Sequence, residues 1–138
     1  MTRVRDIMTA DPTYAETSET VSRAARTMAS HDIGALPIRG EDHHFKGMLT
    51  DRDIVVKVLA EGKDPAALHV GELAQGVVYS VGPDDDVRDA LREMSNHQVR
   101  RLPVMEGEEL VGIVSQADVA RKLPEGEVGD TVENISRD

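Results

Sequence analysis

Thr20-Val21-Ser22-Arg23-Ala24-Ala25-Arg26-Thr27-Met28-Ala29-Ser30-His31 and Asp86-Val87-Arg88-Asp89-Ala90-Leu91-Arg92-Glu93-Met94-Ser95-Asn96-His97 are two copies of one pattern. Val21 corresponds to Val87, Met28 to Met94 and His31 to His97, at a constant offset of 66. In each copy the apolar positions fall at i, i+3, i+4 and i+7, which is one face of a helix. Repetition inside a short chain restricts the fold more than any single propensity does.

The repeat continues on both sides of the helices. Ile33-Gly34-Ala35-Leu36-Pro37-Ile38 corresponds to Val99-Arg100-Arg101-Leu102-Pro103-Val104 at the same offset. After a one-residue slip in the loops Gly40–Lys46 and Glu106–Glu109, Gly47 to Ile54 corresponds to Gly112 to Val119 at an offset of 65. Short apolar runs at Ala35–Ile38, Gly47–Leu49, Leu102–Met105 and Leu110–Val114 read as strands, as do Thr13–Ala15 and Val77–Val81 ahead of the helices. Second helices are expected over Asp51–Glu61 and Gln116–Leu123. The order is strand-helix-strand-strand-helix, twice, in an α/β (α+β) fold. Units of about sixty residues bury little core alone, so the two are expected to pack as one pseudo-symmetric module. Pro37 and Pro103 lie inside strand-like runs and mark an edge, a strand start, or a gap in the ladder open to a ligand.

Composition narrows the function classes. The chain has 138 residues and a formal charge of −10, a poor surface for a nucleic-acid phosphate backbone. It lacks cysteine, so disulfides and thiolate metal sites are excluded. No long apolar run or leader pattern is present, and a cytoplasmic protein without a membrane partner is expected. The motifs of serine hydrolases, P-loop proteins, dinucleotide-binding folds and zinc proteases are all missing, so no catalytic role and no metal site is expected.

Thr50-x-x-Asp53 and Ser115-x-x-Asp118 stand where a strand hands over to a helix. One reading is a capping box, which satisfies free N–H groups at the helix start. The other is a ligand site in which the carboxylate accepts ribose hydroxyls. Gly47 and Gly112, which precede the pairs, are expected to let a ligand approach the backbone. Arg100 and Arg101 replace Gly34 and Ala35, giving the second copy two guanidiniums suited to phosphate, or to pairing with an acid such as Glu93. His31 and His97 end equivalent helices and suit the dipole there. Adjacent His43 and His44 are a weak metal signal, and Arg52 and Arg121–Lys122 read as solvated.

Leu-Pro-Ile/Val followed by Gly-x-x-Thr/Ser-x-x-Asp, after a Val-x-x-Ala helix, resembles the CBS domain, and two in tandem resemble a Bateman module. The repeats are placed at 4–60 and 70–123, with a polar tail at 124–138. The resemblance implies a regulatory module binding an adenosine-containing ligand such as AMP, ADP or ATP in clefts that mix elements of both repeats. It implies ligand contacts from Tyr14, Ile33, Gly34, Ala35, Thr50 and Asp53 on one side, and from Tyr79, Val99, Arg100, Arg101, Ser115 and Asp118 on the other. The strand residues Val78–Ser80 belong to the second set. The resemblance further implies a homodimer through the helices after Asp53 and Asp118, by way of Ile54, Val55, Val58, Leu59, Val119 and Leu123. An adenine nucleotide is the expected ligand, with no firm cofactor. A ligand-free module that docks a separate protein partner is the competing reading.

Overall fold

Helix α1 (Val21–His31) begins at Thr20, whose hydroxyl accepts the Arg23 N–H at 3.2 Å, and it buries Val21, Ala24 and Met28. Helix α3 (Val87–His97) begins at Asp86, whose carboxylate accepts the Arg88 N–H at 3.0 Å, and it buries Val87, Ala90, Leu91 and Met94. Both end on a residue in the left-handed region, Asp32 and Gln98, each with φ 53°. That turn directs the chain straight into a strand. The computed structural model describes residues 2–76 and 79–121. The expected tail 124–138, Leu123 and Lys122, and the strand residues Val77 and Val78 lie outside the described residues.

The chain divides into two units, Thr13–Val78 and Met1–Pro12 with Tyr79–Asp138, called here the first and second unit. In the first unit a three-stranded sheet has the order β2-β3-β4, where β2 is Ala15–Glu16, β3 Ala35–Arg39 and β4 Phe45–Thr50. Strands β2 and β3 run parallel, with Ala15 opposite Ile38; β3 and β4 run antiparallel, with Ala35 opposite Thr50. Pro37 therefore lies just ahead of the stretch of β3 that pairs with β2, where its missing N–H costs that ladder nothing. Helix α2 starts as Asp51–Asp53 and continues as a wider π-type helix over Ile54–Leu59. The core is Leu36, Ile38, Leu49 and Val58 against Val21 and Ala24, all fully buried.

The second unit has the sheet order β1-β6-β5, with β1 Thr9–Ala10, β5 Arg101–Glu106 and β6 Glu109–Ser115. Within the described part of the expected strand Val77–Val81, residues 79–81, Val81 forms a parallel bridge to Val104, at the place of Ala15 opposite Ile38. Helix α4 spans Gln116–Ala120, and the core is Val4, Met94, Leu102, Val104 and Val114 with Val87 and Val119. Pro103 lies in edge strand β5, and its carbonyl accepts the Val81 N–H at 3.1 Å.

Strand β1 was not expected from the sequence, nor were the short 3₁₀ helices Val4–Asp6 and Val70–Leu73. They repeat at the same offset, and each packs with the repeat that it does not precede. Val4 N–H donates to Asp85 O at 2.9 Å and Val87 N–H to Thr2 O at 2.9 Å. In the first unit Val70 N–H donates to Glu19 O at 2.8 Å and Val21 N–H to Leu68 O at 2.9 Å. Each unit is thus completed by the segment leading into the other repeat.

These lead segments correct the expectation for Gly47 and Gly112. A Cβ at Gly112 would stand 2.6 Å from Met8 Sδ and 2.9 Å from Thr9 O; one at Gly47 would stand 3.0 Å from Gln75 N. Both glycines admit the protein's own backbone rather than a ligand.

Candidate functional site

In the first unit the αL turn at Asp32 brings Ile33, Gly34 and Ala35 alongside the start of α2. Gly34 O accepts the Asp51 N–H at 2.9 Å, and Ala35 faces Thr50 across the ladder. Thr50 Oγ1 accepts the Asp53 N–H at 3.0 Å, while Asp53 Oδ2 accepts the Thr50 N–H at 3.0 Å. The capping reading is therefore realised. Asp53 Oδ1 pairs with Lys57 Nζ at 3.3 Å, one helical turn on. This second oxygen is the one that the cap does not use.

The second unit repeats that frame. Arg100 O accepts the Gln116 N–H at 2.7 Å, and Arg101 faces Ser115. Ser115 Oγ accepts the Asp118 N–H at 3.1 Å, and Asp118 Oδ2 accepts the Ser115 N–H at 2.9 Å. Asp118 is the one buried charged side chain among the described residues. A buried carboxylate is costly unless paired and hydrogen-bonded, and Arg121 Nη2 meets its Oδ1 at 2.5 Å. Arg121 is solvated as expected, with its side chain 70% exposed, and it is also the partner of Asp118, because three residues along a helix place the two side chains on one face.

Arg100 and Arg101 are exposed, and neither makes an ion pair among the described residues. The expected pairing with Glu93 does not form; Glu93 Oε2 instead meets His97 Nε2 at 3.2 Å. His97 also stacks on Tyr79, with ring centroids 4.2 Å apart. Tyr79 packs against the core, and burial raises its phenol above the usual pKa of 10.0. Val99 is half-buried against the same core. His31 Nδ1 lies 3.0 Å from Thr27 O at the end of α1, the place expected of it.

Tyr14 is set differently from its companions. The Arg39 guanidinium lies 3.9 Å above its ring, and Arg39 is tied to Glu16 at 2.7 Å. That hydrogen bond keeps Arg39 protonated more firmly than an ordinary arginine. The contacts of Tyr14 thus lie at the Arg39 end of β3, away from Ala35 and Thr50. Ile33 to Ala35 with Thr50 and Asp53, and Val99 to Arg101 with Ser115 and Asp118, are the sets that the fold brings together.

A groove of about 470 Å³ opens beside Ile33, Gly34 and Asp51 between α1 and α2. Along α2, Ile54 and Val58 point into the core, whereas Val55, Val56 and Leu59 are about half exposed. Of the residues expected on an association face, Ile54, Val58 and Val119 are buried within their own units and so cannot lie on one, whereas Val55 and Leu59 are exposed, as is Val56. A helix presents only one side inward, and the wider π-type turns shift which residues those are. No three His, Asp or Glu side chains among the described residues come together as a metal site, and none of the described helices is long and apolar enough to cross a membrane.

Comparison with known proteins points the same way as the repeated frame. The CBS domain family profile matches residues 4–60 and 70–125. Hypoxic response protein 1 of Mycobacterium tuberculosis is 50% identical over 135 residues, covering 98% of this chain and 94% of that protein. A crystal structure of Hypoxic Response Protein I with two coordinated zinc ions superposes with a TM-score of 0.82 at 51% identity, over 89% of this chain and 100% of that one. The CBS domain pair of the protein MJ0100, in complex with 5'-methylthioadenosine and S-adenosyl-L-methionine, superposes with a TM-score of 0.76 at 30% identity, over 88% of this chain and 94% of that one.

Proposed function

Because the chain belongs to the CBS domain family, we propose that it is a regulatory, non-catalytic module binding an adenosine-containing ligand of the AMP, ADP, ATP or related class. The observation that carries this reading is the duplicated frame: a loop carbonyl anchored to the first helical N–H, beside a hydroxyl and a carboxylate with one oxygen outside the cap. Asp53 and Asp118 hold the ribose, with Thr50 and Ser115 beside them. Ile33–Ala35 and Val99–Arg101 supply backbone and apolar contact to the base. The ligand complex of MJ0100 supports the chemical class.

Ligand present at about a hundred times its Kd stabilises a folded protein by about 2.7 kcal/mol. Millimolar AMP or adenosine is accordingly expected to raise the melting temperature of the whole chain. Asp53→Asn combined with Asp118→Asn, which keeps an acceptor for each cap, is expected to weaken binding about tenfold or more. No shift with any adenosyl compound overturns the reading in favour of a ligand-free interaction module, which the exposed Val55, Val56 and Leu59 favour.

The same face supports a homodimer as the route by which ligand occupancy is passed on. Light scattering is expected to give about twice the 15.1 kDa chain mass. Val56→Glu with Leu59→Glu is expected to return the monomer without loss of ligand affinity; a monomeric wild type overturns the dimer.

A further inference from the structure

The two frames share the same hydrogen bonds at equivalent residues, yet they carry opposite charge at one point. Gly34 with Asp51 in the first unit stands where Arg100 with Gln116 stands in the second, each pair joined by the same N–H to carbonyl bond. A Cβ at Gly34 would lie 3.1 Å from Asp51 Oδ2, so a carboxylate covers the spot from which the Arg100 side chain departs in the other unit. Asp51 Oδ1 accepts the Arg52 N–H at 2.8 Å, which leaves Oδ2 directed at Gly34. The groove alongside is lined by Asp32 as well as Asp51 and by no basic residue.

The second unit has the reverse character. Gln116, which stands where Asp51 stands in the first unit, is neutral. Arg100 and Arg101 are exposed and make no ion pair among the described residues, and a guanidinium fork suits a phosphate. On a chain of charge −10 this is where a phosphate finds local compensation.

We propose that the two sites sort adenosyl ligands by charge: the Arg100 site takes a phosphorylated nucleotide, the Gly34 site takes a phosphate-free adenosyl compound, and Asp51 sets that choice. The inference rests on the adenosyl reading above and adds selectivity to it. A phosphate entering beside Gly34 meets the Asp51 carboxylate at close range, and discrimination of this kind works through repulsion as much as attraction. A neutral or cationic substituent at the ribose 5' position meets no such barrier.

Calorimetric titration of the whole chain with AMP and 5'-methylthioadenosine tests it. In the wild type, 5'-methylthioadenosine is expected to bind still after AMP has saturated its site. Arg100→Ala with Arg101→Ala is expected to weaken AMP about tenfold or more and leave 5'-methylthioadenosine unchanged. Asp51→Gln, which imports the second unit's residue at an exposed position, is expected to let AMP displace 5'-methylthioadenosine. AMP that already competes fully in the wild type, or fails to compete in Asp51→Gln, overturns the sorting while leaving the adenosyl reading intact. Absence of heat from both ligands overturns the adenosyl reading and the sorting with it.

Discussion

Asp53 and Asp118 occupy the same place in two units with the same backbone frame, but they differ in depth and partner. Asp53 is half-buried and meets a lysine at i+4 at 3.3 Å; Asp118 is buried and meets an arginine at i+3 at 2.5 Å. The capping bonds agree to within about 0.1 Å in the two copies. The helix start therefore fixes where each carboxylate sits, and the residue about one turn later fixes what its second oxygen meets. Under the proposed adenosyl reading, a ribose would displace a flexible ammonium in one unit and a planar guanidinium at shorter range in the other.

The strongest way to break this equivalence is through the cores. Leu36 and Leu102 are both fully buried at matching positions of β3 and β5. Leu36→Ala and Leu102→Ala are each expected to cost about 2–5 kcal/mol by denaturant titration, a large share of the roughly 5–15 kcal/mol of a typical domain. Costs that differ by more than about 2 kcal/mol would show that one unit relaxes around the cavity and the other does not.

A smaller effect separates the two caps. Thr50→Ala and Ser115→Ala each remove the hydroxyl that accepts the N3 N–H, at an expected cost of about 0.5–2 kcal/mol. Ser115→Ala is expected at the upper end, because the Asp118 N–H it strands lies in the more buried of the two boxes. The reverse order, in the same denaturant titration, would mean that the deeper cap is relieved by water or by Arg121.

Much of the architecture was legible because it was written twice. The Val-x-x-Ala-x-x-x-Met spacing located α1 and α3, and the Leu-Pro runs located β3 and β5, to within a residue or two. The lead segments were missed although they repeat as well: Val4-Arg5-Asp6-Ile7 corresponds to Val70-Gly71-Glu72-Leu73 at the same offset. Three or four residues of 3₁₀ helix carry no amphipathic period to notice. Nor does sequence adjacency reveal that each lead belongs to the other repeat's unit. The roles of Gly47 and Gly112 went with them, since the backbone that they admit comes from those leads. Among site residues, the carboxylates and loops were legible as repeated motifs. The cations on Asp53 and Asp118 were not read, although Lys57 and Arg121 stand at helical spacing from them. The covers over Tyr14 and Tyr79 required knowledge of strand register and helix-end geometry.

The smallest predicted effect lies in the loops where the two copies slip by a residue. The first unit's loop holds Asp42 against Lys46 Nζ at 2.8 Å and the His44 N–H at 3.0 Å, whereas the second unit's loop, Glu106-Gly107-Glu108-Glu109, has no basic residue at all. The Lys46 hydrogen bond, then the His44 N–H, lower the Asp42 carboxyl from the ordinary 3.8 to about 2. A carboxyl with a depressed folded-state pKa stabilises the fold above its unfolded pKa and loses that contribution as pH falls through the folded one. The window here is from 3.8 down to about 2. At neutral pH an exposed pair of this kind contributes little, so Asp42→Asn is expected to leave the melting temperature at pH 7 nearly unchanged. The carboxyl carbon shift of Asp42 is expected to titrate near 2 in the wild type and to move back toward 3.8 in Lys46→Ala. A wild-type midpoint already near 3.8 would mean that the Lys46 bond does not persist in solution, and that the two loops are alike in their electrostatics despite their sequences.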